Sequence, residues 1–198
     1  MSANIYNLFK FLEKKKGTKT PLRVKFLYAP DELTDEDLNV EGDLSLRNTK
    51  ITSLPDNLKV GGFLDLINSK ITSLPDNLQV RGDLDLIGIP ITSLPDNLQV
   101  GGNLNLMNTE ITSLPDNLKV KRNIDLYSTP ITSLPDNLQV GGTLYLSDTK
   151  ITSIPDNLKV GGNLDLQNTP LAEKYSEKEI RKMVEDKGGY VKGTIIYV

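Results

Sequence analysis

One string, ITSLPDNL, begins at Ile51 and returns at Ile71, Ile91, Ile111 and Ile131; at Ile151 it recurs as ITSIPDNL. The interval is 20 residues every time. Each copy is followed by x-V-G-G or a variant, then L-x-L, then x-x-T-x. The full units run from Ile51 to Pro170, and a degenerate unit precedes them, in which Leu38, Val40, Gly42, Leu44 and Leu46 stand 20 residues before Leu58, Val60, Gly62, Leu64 and Leu66. Val24 and Phe26 hold the same offset to Leu44 and Leu46, which extends the register back towards the start. The second unit offers Ile71, Leu74, Leu78, Val80, Leu84 and Leu86 to a core. That is too little to close a core alone, so the units must stack into a solenoid with a thin, continuous interior.

Composition agrees with a shape that has no thick centre. The chain of 198 residues has no Trp, 7 Tyr and 4 Phe, fewer large side chains than a compact globule of this size uses. It has no Cys and no His, which excludes disulfides, thiolate nucleophiles, histidine bases and the usual zinc and haem sites. No metal and no cofactor is expected. The net charge of −3 points to neither nucleic acid nor membrane. Met1 to Lys16 carries no uninterrupted apolar stretch and no small-residue cleavage site, and no apolar run is long enough to span a bilayer. A soluble, cytoplasmic protein without a membrane partner is expected.

Within a unit, Leu64 and Leu66 alternate with Phe63, Asp65 and Ile67, the period of a strand with one buried face. Pro55 and Pro75 cannot continue a ladder and start a turn, which the Asp-Asn after them tightens. Gly61-Gly62 permits a sharp bend before the next strand. The column Thr49, Ser69, Thr109, Thr129, Thr149 and Thr169, with Ile89 as the exception, reads as internal, its hydroxyls bonded to backbone at the turn after the strand.

The pattern L-x-L-x-x-T-x-I-x-x-L-P, as in Leu104-Asn105-Leu106-Met107-Asn108-Thr109-Glu110-Ile111-Thr112-Ser113-Leu114-Pro115, resembles leucine-rich repeats of the short bacterial and phage type. The resemblance covers residues 31–170. It implies a parallel β-sheet on one face of the solenoid, with turns or short 3-10 segments on the other. It also implies a binding role rather than an enzyme, and an inhibitor of a host or defence protein is one form that role takes. The Thr column and the V-G-G step depart from secreted effectors of that family, and no ubiquitin-ligase domain follows the repeats.

The ends read as caps: residues 1–30 before the repeats and 171–198 after them. Asn4 to Lys16 sets Ile5, Leu8, Phe9 and Leu12 on one helical face, with Gly17 as the stop, and Leu22 to Leu27 reads as a first strand. Ser176-Glu177-Lys178-Glu179 is a capping box opening a helix with Ile180, Met183 and Val184 inward. That helix ends near Gly188-Gly189, and Thr194 to Val198 reads as a closing strand. Charge is uneven. Residues 1–30 hold seven basic and one acidic side chain, residues 31–170 ten and twenty, and residues 171–198 six and five. The basic end makes Lys10, Lys14, Lys15 and Lys16 a candidate nucleic-acid contact, against the simpler reading of a solvated helix face.

The outward strand positions form three columns at about 4.8 Å per step. The first is Asp43, Phe63, Asp83, Asn103, Asn123, Thr143 and Asn163; the second is Ser45, Asp65, Asp85, Asn105, Asp125, Tyr145 and Asp165. The third, Arg47, Ile67, Ile87, Met107, Tyr127, Ser147 and Gln167, contains four consecutive apolar or aromatic members. With Phe63, Asn105 and Tyr145 beside it and Asp65, Asp83, Asp85 and Asp125 as rim, this column reads as a face for a partner protein with a basic surface. Self-association, giving a homo-oligomer, is the rival. Asp65 and Asp85 are near neighbours and could act as an acid–base pair, but the column is interrupted by Asn105 and Tyr145 and repetition explains it without chemistry.

Overall fold

The computed structural model describes residues 2–17, 19–116 and 118–197. It is a parallel β-solenoid. Each unit contributes two short strands, and these stack at the 20-residue register into two eight-stranded sheets. The first sheet is built from the x-V pairs: Asn39–Val40, Lys59–Val60 and their copies through Lys159–Val160, closed by Tyr190–Val191. The second is built from the L-x-L step: Leu44–Ser45, Leu64–Asp65 and their copies through Leu164–Asp165, closed by Ile195–Ile196. All pairings are parallel, for example Val80 with Val100 and Asp65 with Asp85.

The second sheet matches the expectation. The first was not expected: turns or 3-10 segments were anticipated away from the L-x-L strand. Among the described residues the one 3-10 helix is Pro30–Glu32, outside the repeats. The physical reason is register. Once identical units stack in step, an x-V pair brings its amides under the preceding unit's carbonyls, as Gln79 N–H to Leu58 O (3.1 Å) and Arg81 N–H to Val60 O (2.9 Å). Val points inward and the residue before it outward, so two residues suffice for a strand.

The interior is the predicted column of Ile, Leu and Val. Leu64, Leu84, Leu104, Ile124, Leu144 and Leu164 are fully buried, as are the Leu two positions on. The Thr column lies inside as expected, its bonds closing each unit's own turn, but Ser69 in the same column is buried with a hydroxyl that has no hydrogen-bond partner. Thr49, Thr109, Thr129, Thr149 and Thr169 each donate to the carbonyl three residues back at 2.6–2.8 Å. Just before it, Asn48, Asn68, Gly88, Asn108, Ser128, Asp148 and Asn168 all have φ between 54° and 65°, the left-handed turn that ends each strand.

The ends carry helices. Helix α1 (Ser2–Lys16) stops at Gly17 (φ 65°), as expected. It is turned differently from the expectation. Tyr6 is buried and bonds Glu32 through its hydroxyl (2.6 Å), while Ile5 and Leu8 are exposed and Phe9 and Leu12 only half-buried. The segment expected as a first strand is helix α2 (Leu22–Tyr28), opened by Pro21. With Phe26 alone fully buried in it, the Val24/Phe26 alternation is not a strand period. After the repeats come α3 (Pro170–Lys174) and α4 (Glu177–Asp186), the latter with the predicted capping box and with Ile180 and Val184 buried. Gly188 follows with φ 78°. The closing strand is Ile195–Ile196; Val198 lies outside the described residues.

The caps do a specific job. In the second sheet each unit's amides donate to the next unit, as Leu44 N–H to Phe63 O, so the carbonyls of the first strand lack donors. Arg23 on α2 supplies them, one guanidinium nitrogen to Ser45 O (3.1 Å) and the other to Arg47 O (2.9 Å). In the first sheet donation runs backward, so the last strand is the one left short. There Arg181 on α4 donates to Val191 O and Gly193 O, both at 3.0 Å. Arg181→Ala is expected to lower unfolding free energy by about 1.5–3 kcal/mol, the range for hydrogen bonds from a charged donor. Arg181→Lys should recover only part, because one ammonium cannot fork to two carbonyls. Urea denaturation of the three proteins checks this.

Candidate functional site

The three outward columns of the second sheet differ in what they are used for. The first is a side-chain ladder. Asp43 Oδ1 accepts from the Phe63 amide (2.8 Å) and Asp83 Oδ1 from the Asn103 amide (2.7 Å). Asn103, Asn123, Thr143 and Asn163 continue the series to the Thr194 amide. Phe63 interrupts it, having no acceptor to offer the unit that follows.

The second column is mostly local scaffolding. Asp65, Asn105, Asp125 and Asp165 each accept from the amide two residues on, at 2.9–3.2 Å. Asp65, only 4% exposed, also takes Arg47 Nε (2.9 Å) and Ser45 Oγ (3.2 Å) on its other oxygen. Its carboxylate is committed to these three donors. Asp85 sits beside it in register, with a buried Oδ1 that has no hydrogen-bond partner. Burial, and then the Asp65 charge, push the Asp85 carboxyl above the ordinary aspartate range. Burial does the same to Asp125. Among the described residues no cluster of three acidic side chains is placed to hold a metal ion.

The third column is the apolar one, and it is not uniformly outward. Ile67, expected as an exposed anchor, is 7% exposed. Its column neighbours are Arg47, drawn across to Asp65, and Ile87, and a branched side chain between them is covered. Ile87 and Met107 are half-buried, and Tyr127 is 39% exposed. The Tyr127 hydroxyl bonds Asp148, which raises its pKa. Phe63 and Tyr145 are half-buried alongside. The accessible stripe is thus Ile87, Met107 and Tyr127, with Phe63 and Tyr145 on its flanks and Asp83, Asp85 and Asp125 beside it.

The basic residues of α1 are placed apart from this face. Lys10 pairs with Glu32 (2.8 Å), which raises its pKa, and lies over the Tyr6 ring. Lys14, Lys15 and Lys16 are exposed in the last turn, where cations complement the helix dipole, and Lys15 lies 5.3 Å from the Phe11 ring centre. No helix among the described residues is long and apolar enough to cross a membrane.

The first sheet presents a surface that reading the sequence missed. Its outward column is Lys59, Gln79, Gln99, Lys119, Gln139 and Lys159, in line with Tyr190. A groove of about 1330 Å³ runs along it. Arg81, Lys121 and Lys192 stand along one wall, and Asp76, Asn77, Asn97, Asp116 and Asn137 along the other. The available signal was the polar residue before each Val, one half of an alternation only two residues long.

No protein-family model matches the chain, and no curated protein matches it significantly.

Asp85 yields a test of the site's electrostatics. An aspartate whose folded pKa is raised costs stability once it ionises, so Asp85→Asn should stabilise the protein at pH 7. Asn105 already occupies the same column, where its Oδ1 accepts from the Met107 amide. The gain should shrink as pH falls through the raised pKa of Asp85 and vanish below about 3.9, the unfolded value. Thermal melts of both proteins between neutral and acid pH measure it.

Proposed function

We propose that this is a non-enzymatic, leucine-rich-repeat-like scaffold that binds a partner protein through the outward face of its second sheet. One observation carries the reading. On a framework copied almost letter for letter, the side chains of the first two columns are largely spent on hydrogen bonds within the solenoid, whereas Ile87 and Met107 form an accessible apolar stripe continued by Tyr127. Phe63 supports it: an aromatic replaces a ladder acceptor at the edge of that stripe. Aromatic and Met anchors with a charged rim suit a protein partner.

Asp83, Asp85 and Asp125 favour a basic partner. A cation set against Asp85 or Asp125 would restore the charge that burial disfavours and so bind more strongly than at a solvated carboxylate. The action is occlusion: a rigid surface covers a site on another protein, as an inhibitor does. The solenoid needs no rearrangement to do so, since its outward columns are fixed by the ladders beneath them.

The test uses affinity capture from bacterial lysate, then titration of the purified captured protein against wild type and against Met107→Ser with Tyr127→Ala. Ile67 is left alone, because its burial makes it a folding residue. A loss of affinity of about 2 kcal/mol or more, roughly thirtyfold, with an unchanged melting temperature is the expected result. Equal affinity in the double variant would remove the second-sheet face from consideration. A self-captured chain with a defined oligomer by sedimentation would replace the reading with self-assembly.

A further inference from the structure

The repeat makes its corner with Val-Gly-Gly, and the first Gly is there for a steric reason. A Cβ at Gly101, Gly141 or Gly161 would fall on the carbonyl oxygen of the unit before, that of Arg81, Lys121 or Gly141. Within the six full units this position departs from Gly twice, at Arg81 and Lys121, and each time it becomes a cation. In the closing strand the matching residue is Lys192, whose amide donates to Val160 O as that of Gly161 does to Val140 O. All three cations are on one wall of the first-sheet groove. The floor adds Lys119 and Lys159. A chain that is net acidic thus accommodates cationic side chains at a crowded corner along one groove.

We propose that this groove binds an extended acidic segment of another polypeptide. The cations fit spaced carboxylates. Between them Gln79, Gln99 and Gln139 offer amide donors and acceptors to the segment's peptide groups, at about 4.8 Å per unit. A single-stranded nucleic acid fits less well. It needs aromatic platforms, and the floor has only Tyr190, at one end. Asp76 and Asp116 on the opposite wall would also face its unbroken line of phosphates, whereas a peptide can set its carboxylates on one side. The groove is a different surface from the apolar stripe, so either reading can fail without the other.

The probe is a fluorescein-labelled peptide of alternating Glu and Ser, about ten residues long, enough to run from Gln79 to Tyr190 when extended. Its anisotropy is followed with the full chain, beside an alternating Lys-Ser peptide and a thymidine oligonucleotide of equal length. Two variants are used: Arg81→Gly with Lys121→Gly, and Lys119→Gln with Lys159→Gln. Both install residues that the repeat already carries at the same positions, so the fold is retained. The Glu-Ser peptide should bind, weaken with added salt, and lose about tenfold in affinity in each variant, while the Lys-Ser peptide, whose place is the acidic rim of the other sheet, loses nothing in either variant. No binding of the Glu-Ser peptide, equal binding by both variants, or tighter binding of the oligonucleotide would each overturn the proposal.

Discussion

In-register stacking of identical backbones is the constraint on which everything else in this molecule depends. A unit of 20 residues contains two strands of two residues each, and its own hydrogen bonds close turns, as Leu98 N–H to Pro95 O and Thr109 N–H to Leu106 O. Its strand amides are satisfied by its neighbours: backward in the first sheet, where Gly101 donates to Val80, and forward in the second, where Leu84 donates to Asn103. Every internal unit is therefore tied in both directions, and its apolar residues are sealed by the units above and below. Open ends are costly in the same terms. The two sheets run out of donors at opposite ends of the solenoid, and at each end a guanidinium takes over, Arg23 at one and Arg181 at the other. A planar fork that reaches two carbonyls on one strand substitutes for the missing pair of amides.

The stacking extends from backbone to side chains. Asp43, Asp83, Asn103 and Asn123 reach up to the next unit's amide, and Asn68 reaches Asn48 across one step. Like charges would be forced into contact by so strict a repeat, and the second column shows how this is limited. Asp65 is neutralised by Arg47, the column turns to Asn at 105, and Asp125 is followed by Tyr145. Asp85 remains the exception: burial first, and then the Asp65 charge, hold its carboxyl above the ordinary aspartate range.

Much of this was legible because the repeat supplies its own comparison. The L-x-L strand, the inward Thr column, the stop at Gly17 and the capping box at Ser176 each rest on local chemistry that a short stretch of sequence displays. What was hidden depends on tertiary context. The x-V pair is too short to show a period, and only stacking turns it into a strand. Leu22–Tyr28 has alternating apolar residues that read as a strand, yet the preceding Pro21 and the need to bring Arg23 against the sheet edge favour a helix. Ile67 sits in an outward column but is covered, because burial there depends on what its column neighbours do with their side chains.

The departures from the repeat separate into two kinds, and position tells them apart. Inside, Ile89 replaces the Thr that bonds its own turn and Ile154 replaces a Leu; both stay buried and neither changes the surface. An interior hydroxyl can be exchanged for a methyl group when its bond is local, and the solenoid continues undisturbed. At the corner and on the strand faces the departures change chemistry instead. Phe63 removes an acceptor from a ladder that every neighbour maintains, and Arg81 and Lys121 put long side chains where the framework otherwise packs a glycine. Such residues work against the stacking rule that holds the molecule together, and all three point outward. A repeat this regular would fold as well, or better, without them, so their contribution has to be sought on the surface they alter.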